Sequence, residues 1–95
     1  MEQFEEIRKK ALELFELRKY AITKHTNGRM IERRILHLDI KLVLLYGSLY
    51  RQETDDHGEI RYTMRGWDQD SKDIRVAFIL RNLLIIITVI REEDI

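Results

Sequence analysis

The chain has 95 residues, enough for one domain and too few for two. Hydrophobic residues make up 44% and charged residues 36%, which excludes a disordered tail, and the lack of cysteine excludes disulfides, thiolate metal sites and cysteine nucleophiles. Seventeen Lys and Arg balance seventeen Asp and Glu, so a globally basic nucleic-acid-binding surface is excluded while a local basic patch is not.

Residues 2–19 are expected to form an amphipathic helix. Phe4, Ile7, Ala11, Leu14 and Phe15 recur at three- and four-residue steps and form one apolar stripe. Acidic residues come early and Arg18 and Lys19 come late, which complements a helix dipole. Residues 20–34 read both ways. Asn27-Gly28 is a turn signal, yet Arg29-Met30-Ile31-Glu32-Arg33-Arg34 is good helix material. This stretch also concentrates charge, for residues 20–53 carry six basic and three acidic side chains, with Arg29, Arg33 and Arg34 crowded together. Residues 35–46 fit both a strand period and a helical face. The helix is preferred, because Leu, Lys and Asp are poor strand formers beside Val or Thr.

From Ser48 onward the pattern is β. Runs 49–54 and 60–66 flank Asp55-Asp56-His57-Gly58-Glu59, a cluster suited to a hairpin turn. Runs 74–80 and 83–90 follow, joined by Arg81-Asn82. The last run lacks polar alternation and is expected to be a central strand buried on both faces. The predicted fold is α+β: N-terminal helices followed by a four-stranded antiparallel sheet, in a single domain over 1–95. At eight residues, Leu83–Ile90 is too short to cross a bilayer, and Met1-Glu2-Gln3-Phe4-Glu5-Glu6 is acidic where a secretory leader would be basic. A cytoplasmic protein without membrane contact is expected.

The stretch His25-Thr26-Asn27-Gly28-Arg29-Met30-Ile31-Glu32-Arg33-Arg34-Ile35, with Asp39-Ile40 after it, resembles the bacterial family called domain of unknown function 4258. That family's signature is His-Ala-x-x-Arg-Met-x-x-Arg-Gly-Ile, followed by Asp-Val. Gly47, Ile87-Thr88-Val89 and Arg91 also match its closing segment, so the resemblance covers about residues 21–91. Thr26 stands where the family has Ala, Arg34 where it has a helix-closing Gly, and Ile90 where it has an aromatic residue. The family is similar in layout to the BrnT and RelE/ParE toxins, small ribonuclease-like proteins paired with antitoxins. The resemblance therefore implies a toxin-like core over 20–95 behind the N-terminal helix of 1–19.

On a helix His25, Arg29 and Arg33 are four residues apart and share one face. Such a set suits metal-independent cleavage of an RNA phosphodiester. An imidazole can move a proton near neutral pH, and guanidinium groups offer paired donors to the charge that builds on phosphate. Tyr62, Arg65, Arg75 and Arg91 are expected to add a basic, aromatic floor for single-stranded RNA. The competing reading makes His25 a helix-start hydrogen-bonding residue and pairs Arg29 and Arg33 with Glu32, Asp39 or a sheet carboxylate. Trp67 reads as a lid on the core. Asp68, Asp70 and Asp73 do not make a calcium loop, since Lys72 takes a ligand position and the loop glycine is missing. Neither cofactor nor metal is expected.

Two functions compete. One is a toxin-like endoribonuclease, or its inactive relative, with RNA or the ribosome as substrate and an antitoxin as partner. The other is a non-catalytic interaction module that forms a homodimer or binds a partner, favoured by the zero net charge and the long first helix. DNA binding through the basic 24–34 segment is a weaker third.

Overall fold

The computed structural model describes residues 2–95. Helix α1 (Glu2–Glu16) leads into a short strand β1 (Tyr20–Ile22) and two helices, α2 (Lys24–Glu32) and α3 (His37–Tyr46). Strands β2 (Ser48–Thr54), β3 (Ile60–Trp67), β4 (Asp73–Leu80) and β5 (Leu84–Arg91) follow, and a 3₁₀ turn spans Glu92–Asp94. The α+β class and the order of helices before sheet agree with the sequence reading. The predicted antiparallel meander is β2 to β5, with boundaries within a residue of those expected.

The sheet differs by one strand. Its order is β1-β5-β4-β3-β2, and β1 adds to the edge of β5 in parallel, pairing Tyr20 with Leu84 and Ile22 with Ile86. Three residues are too few to show a period of two, so this pairing left no local trace. Strand β5 is accordingly flanked on both sides, but it is covered on one face only: Leu84, Ile86 and Val89 are buried, while Ile85, Ile87, Thr88 and Ile90 are half-buried.

The core lies between that covered face and the helices. Ala11, Leu14 and Phe15 of the predicted α1 stripe meet Ile40, Val43 and Leu44 of α3 and Met64, Ile74, Val76 and Phe78 of the sheet. Helix α3 comes close to β3 at Gly47, where a Cβ would lie 2.5 Å from the Val43 carbonyl oxygen and 2.7 Å from that of Arg65. No other residue fits there without moving backbone. Helix α3 is started by Asp39, whose buried carboxylate accepts from Leu36 N–H at 2.8 Å and from Gln69 N–H at 3.0 Å.

Helices α1 and α2 end alike. The N–H of Lys19 bonds the carbonyl of Leu14 and that of Ile35 bonds Met30, with Arg18 (φ 60°) and Arg34 (φ 56°) in the left-handed conformation between. This is the closing loop that usually uses glycine. It ends α1 at Glu16, three residues before the amphipathic pattern runs out. Among the described residues no helix is long and apolar enough to cross a membrane.

Candidate functional site

Helix α2 runs beside the part of β5 that β1 leaves uncovered, and each end of the helix is tied to the sheet. At the start, Thr23 is the N-cap and its N–H bonds the Ile86 carbonyl at 3.1 Å. One turn on, the buried Thr26 hydroxyl donates to the Ile87 carbonyl at 2.7 Å. Ile87 is the extra residue of a bulge, because Ala77 pairs with Thr88 while Phe78 pairs with Ile86. A bulge turns its carbonyl out of the ladder, and Thr26 supplies the missing donor. Alanine, the family's residue at this place, has no hydroxyl to do so. Asn27-Gly28, a turn signal in isolation, stays helical because the flanking Thr23 and Thr26 hold the segment to β5.

At the far end, Arg91 of β5 donates from Nη1 to the Arg33 carbonyl at 2.7 Å, the C-cap of α2. Arg91 is itself held by Asp68, whose Oδ2 accepts from its Nε at 2.9 Å. Burial pushes the Asp68 carboxyl up, but Arg91 and the N–H groups of Lys72 and Asp70 outweigh it and hold it below the usual carboxylate range. The same bond to Asp68 raises Arg91 above its ordinary value.

Between these two ties lies a cleft of about 340 Å³ lined by His25, Arg29, Arg33, Thr88, Ile90 and Asp94. The helical spacing therefore brings the three predicted catalytic side chains to one concavity. His25 and Arg29 are exposed. Arg33 is not free: its Nη1 lies 2.7 Å from Asp94 Oδ2 of the 3₁₀ turn. None of the carboxylates considered from sequence takes that place, because Asp94 is remote in the chain and reaches Arg33 only through the turn that follows β5. Among the described residues, no three His, Cys, Asp or Glu side chains converge as metal ligands.

The four residues assigned to an RNA floor divide between the two faces of the sheet. Arg65 and Arg75 are direct cross-strand partners on the face that carries no helix. Tyr62 is buried and stacks on Phe78 with ring centroids 5.6 Å apart, so its ring does not reach that face. The reason is the strand period, since residues 62 and 65 are an odd number apart and point oppositely. Arg91 pairs across from the buried Ile74, and its guanidinium is spent on Asp68 and the α2 cap. The aromatic ring on the open face belongs instead to Tyr50. The Arg75, Arg65 and Arg51 guanidinium carbons lie 4.4, 5.0 and 5.4 Å from its centroid. Tyr50 sits at a bulge, between the Leu49–Met64 and Arg51–Thr63 pairs, which plain alternation does not foretell. Arg65 and Arg75 both donate to Glu92, at 2.5 and 3.0 Å. Those two bonds draw the Glu92 carboxyl below its ordinary value and raise Arg65. Trp67, read as a core lid, stands half exposed at the end of β3.

A wider groove of about 690 Å³ opens between the end of α1 and the start of α3. There the Tyr20 hydroxyl meets His37 Nδ1 at 2.7 Å, and Lys41 lies 3.6 Å from Glu16. It brings together an imidazole and a phenol, without the paired guanidinium groups of the α2–β5 cleft.

Residues 22–91 match the family described as Domain of unknown function (DUF4258). The chain belongs to this family. The match starts at the last residue of β1 and ends at Arg91, so it includes both ties of α2 and every lining residue of the cleft named above except Asp94. No curated protein and no solved structure matches the chain.

Proposed function

We propose that this DUF4258 protein is a toxin-like, metal-independent endoribonuclease, or an inactive relative of one, that takes an RNA phosphodiester into the α2–β5 cleft. The observation that carries the reading is the convergence of His25, Arg29 and Arg33 on one concave, solvent-reachable site. In this reading His25 moves the proton of the ribose 2′-hydroxyl or of the leaving oxygen. Arg29 takes the non-bridging oxygens of the phosphate through its paired donors, where negative charge builds in the transition state. Arg33 joins it when Asp94 gives way. The open sheet face, with Tyr50 beside Arg65 and Arg75, supports the flanking nucleotides. A similarity of layout to the BrnT and RelE/ParE toxins fits this assignment, and with it come a cytoplasmic location, a ribosome-associated substrate and an antitoxin partner.

The test is cleavage of RNA by the purified protein, alone and with ribosomes, in the presence of EDTA. His25→Ala should lower the rate about 100-fold or more, as expected for loss of general acid–base catalysis. His37→Ala, in the wider groove, should cut like the wild type. Unchanged cleavage by His25→Ala, or loss of cleavage in His37→Ala alone, removes the assignment.

A further inference from the structure

The sheet has two edges, and they are built differently. The β1 edge is three residues long, whereas β2 presents a seven-residue edge on which every residue from Tyr50 to Thr54 is exposed. Long free edges template pairing with another strand unless something blocks them. No proline, glycine or lysine interrupts Tyr50-Arg51-Gln52-Glu53-Thr54.

We propose that this edge pairs antiparallel with the same edge of a second copy of the chain, in a two-fold register centred on Gln52. The ladder fixes which groups are available. Asp55 N–H bonds the Glu59 carbonyl across the hairpin end, so alternation turns the backbone groups of Glu53 and Arg51 toward β3 and those of Gln52 and Thr54 outward. Outward groups must meet outward groups, which leaves three two-fold registers, centred on residues 51, 52 and 53. Centring on Arg51 sets two guanidinium groups opposite each other, and centring on Glu53 sets two carboxylates opposite. Centring on Gln52 instead sets Arg51 of each chain against Glu53 of its partner, twice.

Charge complementarity thus selects one register and one occupant. Arg51 and Glu53 lie on the same face, 3.9 Å apart at their charged ends within one chain, and both are more than half exposed. Cross-strand partners in non-hydrogen-bonded positions sit with Cβ atoms close, so opposite charges there help and like charges harm. Pairing is bounded by the bulge at Tyr50 on one side and the turn at Asp55 on the other. The resulting ten-stranded sheet carries its two α2–β5 clefts at opposite ends, both open. The inference is independent of RNA cleavage.

Light scattering and sedimentation velocity on the intact protein decide it. The wild type should show twice the 11.5 kDa mass of one chain. Arg51→Glu alone and Glu53→Arg alone should each give monomers, since each sets like charges opposite. The double variant Arg51→Glu/Glu53→Arg should recover the dimer, because the pairing survives with its signs exchanged. Gln52→Pro, which removes an outward N–H and spares the ladder to β3, should be monomeric. A wild type that stays monomeric up to its solubility limit overturns the proposal. So does a single reversal that still dimerises, or a double variant that does not.

Discussion

Asp68 governs the far end of the cleft although it does not line it. Its side chain is 1% exposed, and among the described residues it is the only carboxylate bonded to the Arg91 guanidinium that caps α2. Removing one partner of such a pair leaves the other buried without compensation. Asp68→Ala should therefore cost about 3 kcal/mol, the low end for a broken buried pair because Arg91 keeps the Arg33 carbonyl. The pH dependence follows from the direction of the shift. The folded carboxyl lies below its ordinary value, so its contribution is whole above the unfolded pKa of about 4 and is lost as pH falls through the folded value. Urea unfolding of wild type and Asp68→Ala at neutral and acid pH checks this. The gap between them should narrow as pH falls below the unfolded pKa of about 4; a gap that does not narrow assigns the loss to packing instead. Glu92 is shifted the same way by Arg65 and Arg75, but it is only half-buried and solvent screens the group, so its part in the acid limb is smaller than that of Asp68.

At the scale of elements, α2 departs twice from what a helix prefers. Gly28 lies mid-helix with nothing within 4 Å of the position a Cβ would take, and Arg34 holds a left-handed φ of 56°. Gly28→Ala should stabilise by about 0.5–1 kcal/mol by restricting the unfolded chain. Arg34→Gly should gain about 1 kcal/mol by relieving the left-handed backbone. Thermal unfolding of the two single variants and the double tests both; Arg34→Gly melting lower than wild type would show that the arginine stem packs usefully. The strands and the helical spacing of His25, Arg29 and Arg33 were legible because each is a local pattern: alternation around a turn cluster, or three side chains one turn apart. What was illegible depends on distant partners. The β1–β5 pairing joins residues more than sixty apart, Thr26 finds its acceptor only because β5 bulges at Ile87, and Asp94 reaches Arg33 only through the 3₁₀ turn. The exchange of Tyr62 for Tyr50 has both origins. Strand alternation already places Tyr62 with Met64, away from Arg65, whereas the exposure of Tyr50 needs the bulge.

Over the whole molecule, the zero net charge has a spatial pattern. The 3₁₀ turn after β5 sets three consecutive acids on four basic side chains: Glu92 on Arg65 and Arg75, Glu93 on Lys72, and Asp94 on Arg33. In the proposed RNA-binding role, these carboxylates occupy guanidinium groups that phosphates would contact, and RNA would have to displace them. Asp94→Asn isolates this effect at the cleft. Arg33 and Asp94 are each about 30% exposed, so losing their pair should cost less than about 1 kcal/mol of stability. The freed guanidinium gains a phosphate contact, and each such contact on a single strand steepens the salt dependence of log K by about 0.7. Fluorescence anisotropy of a short single-stranded RNA across a salt series should therefore show Asp94→Asn binding more tightly at low salt, with a slope steeper by about that amount. Adding Arg33→Ala should return the slope to the wild-type value. Tighter binding without a change in slope would mean that the substitution acts on the fold of the turn, and that Arg33 does not meet phosphate in the cleft.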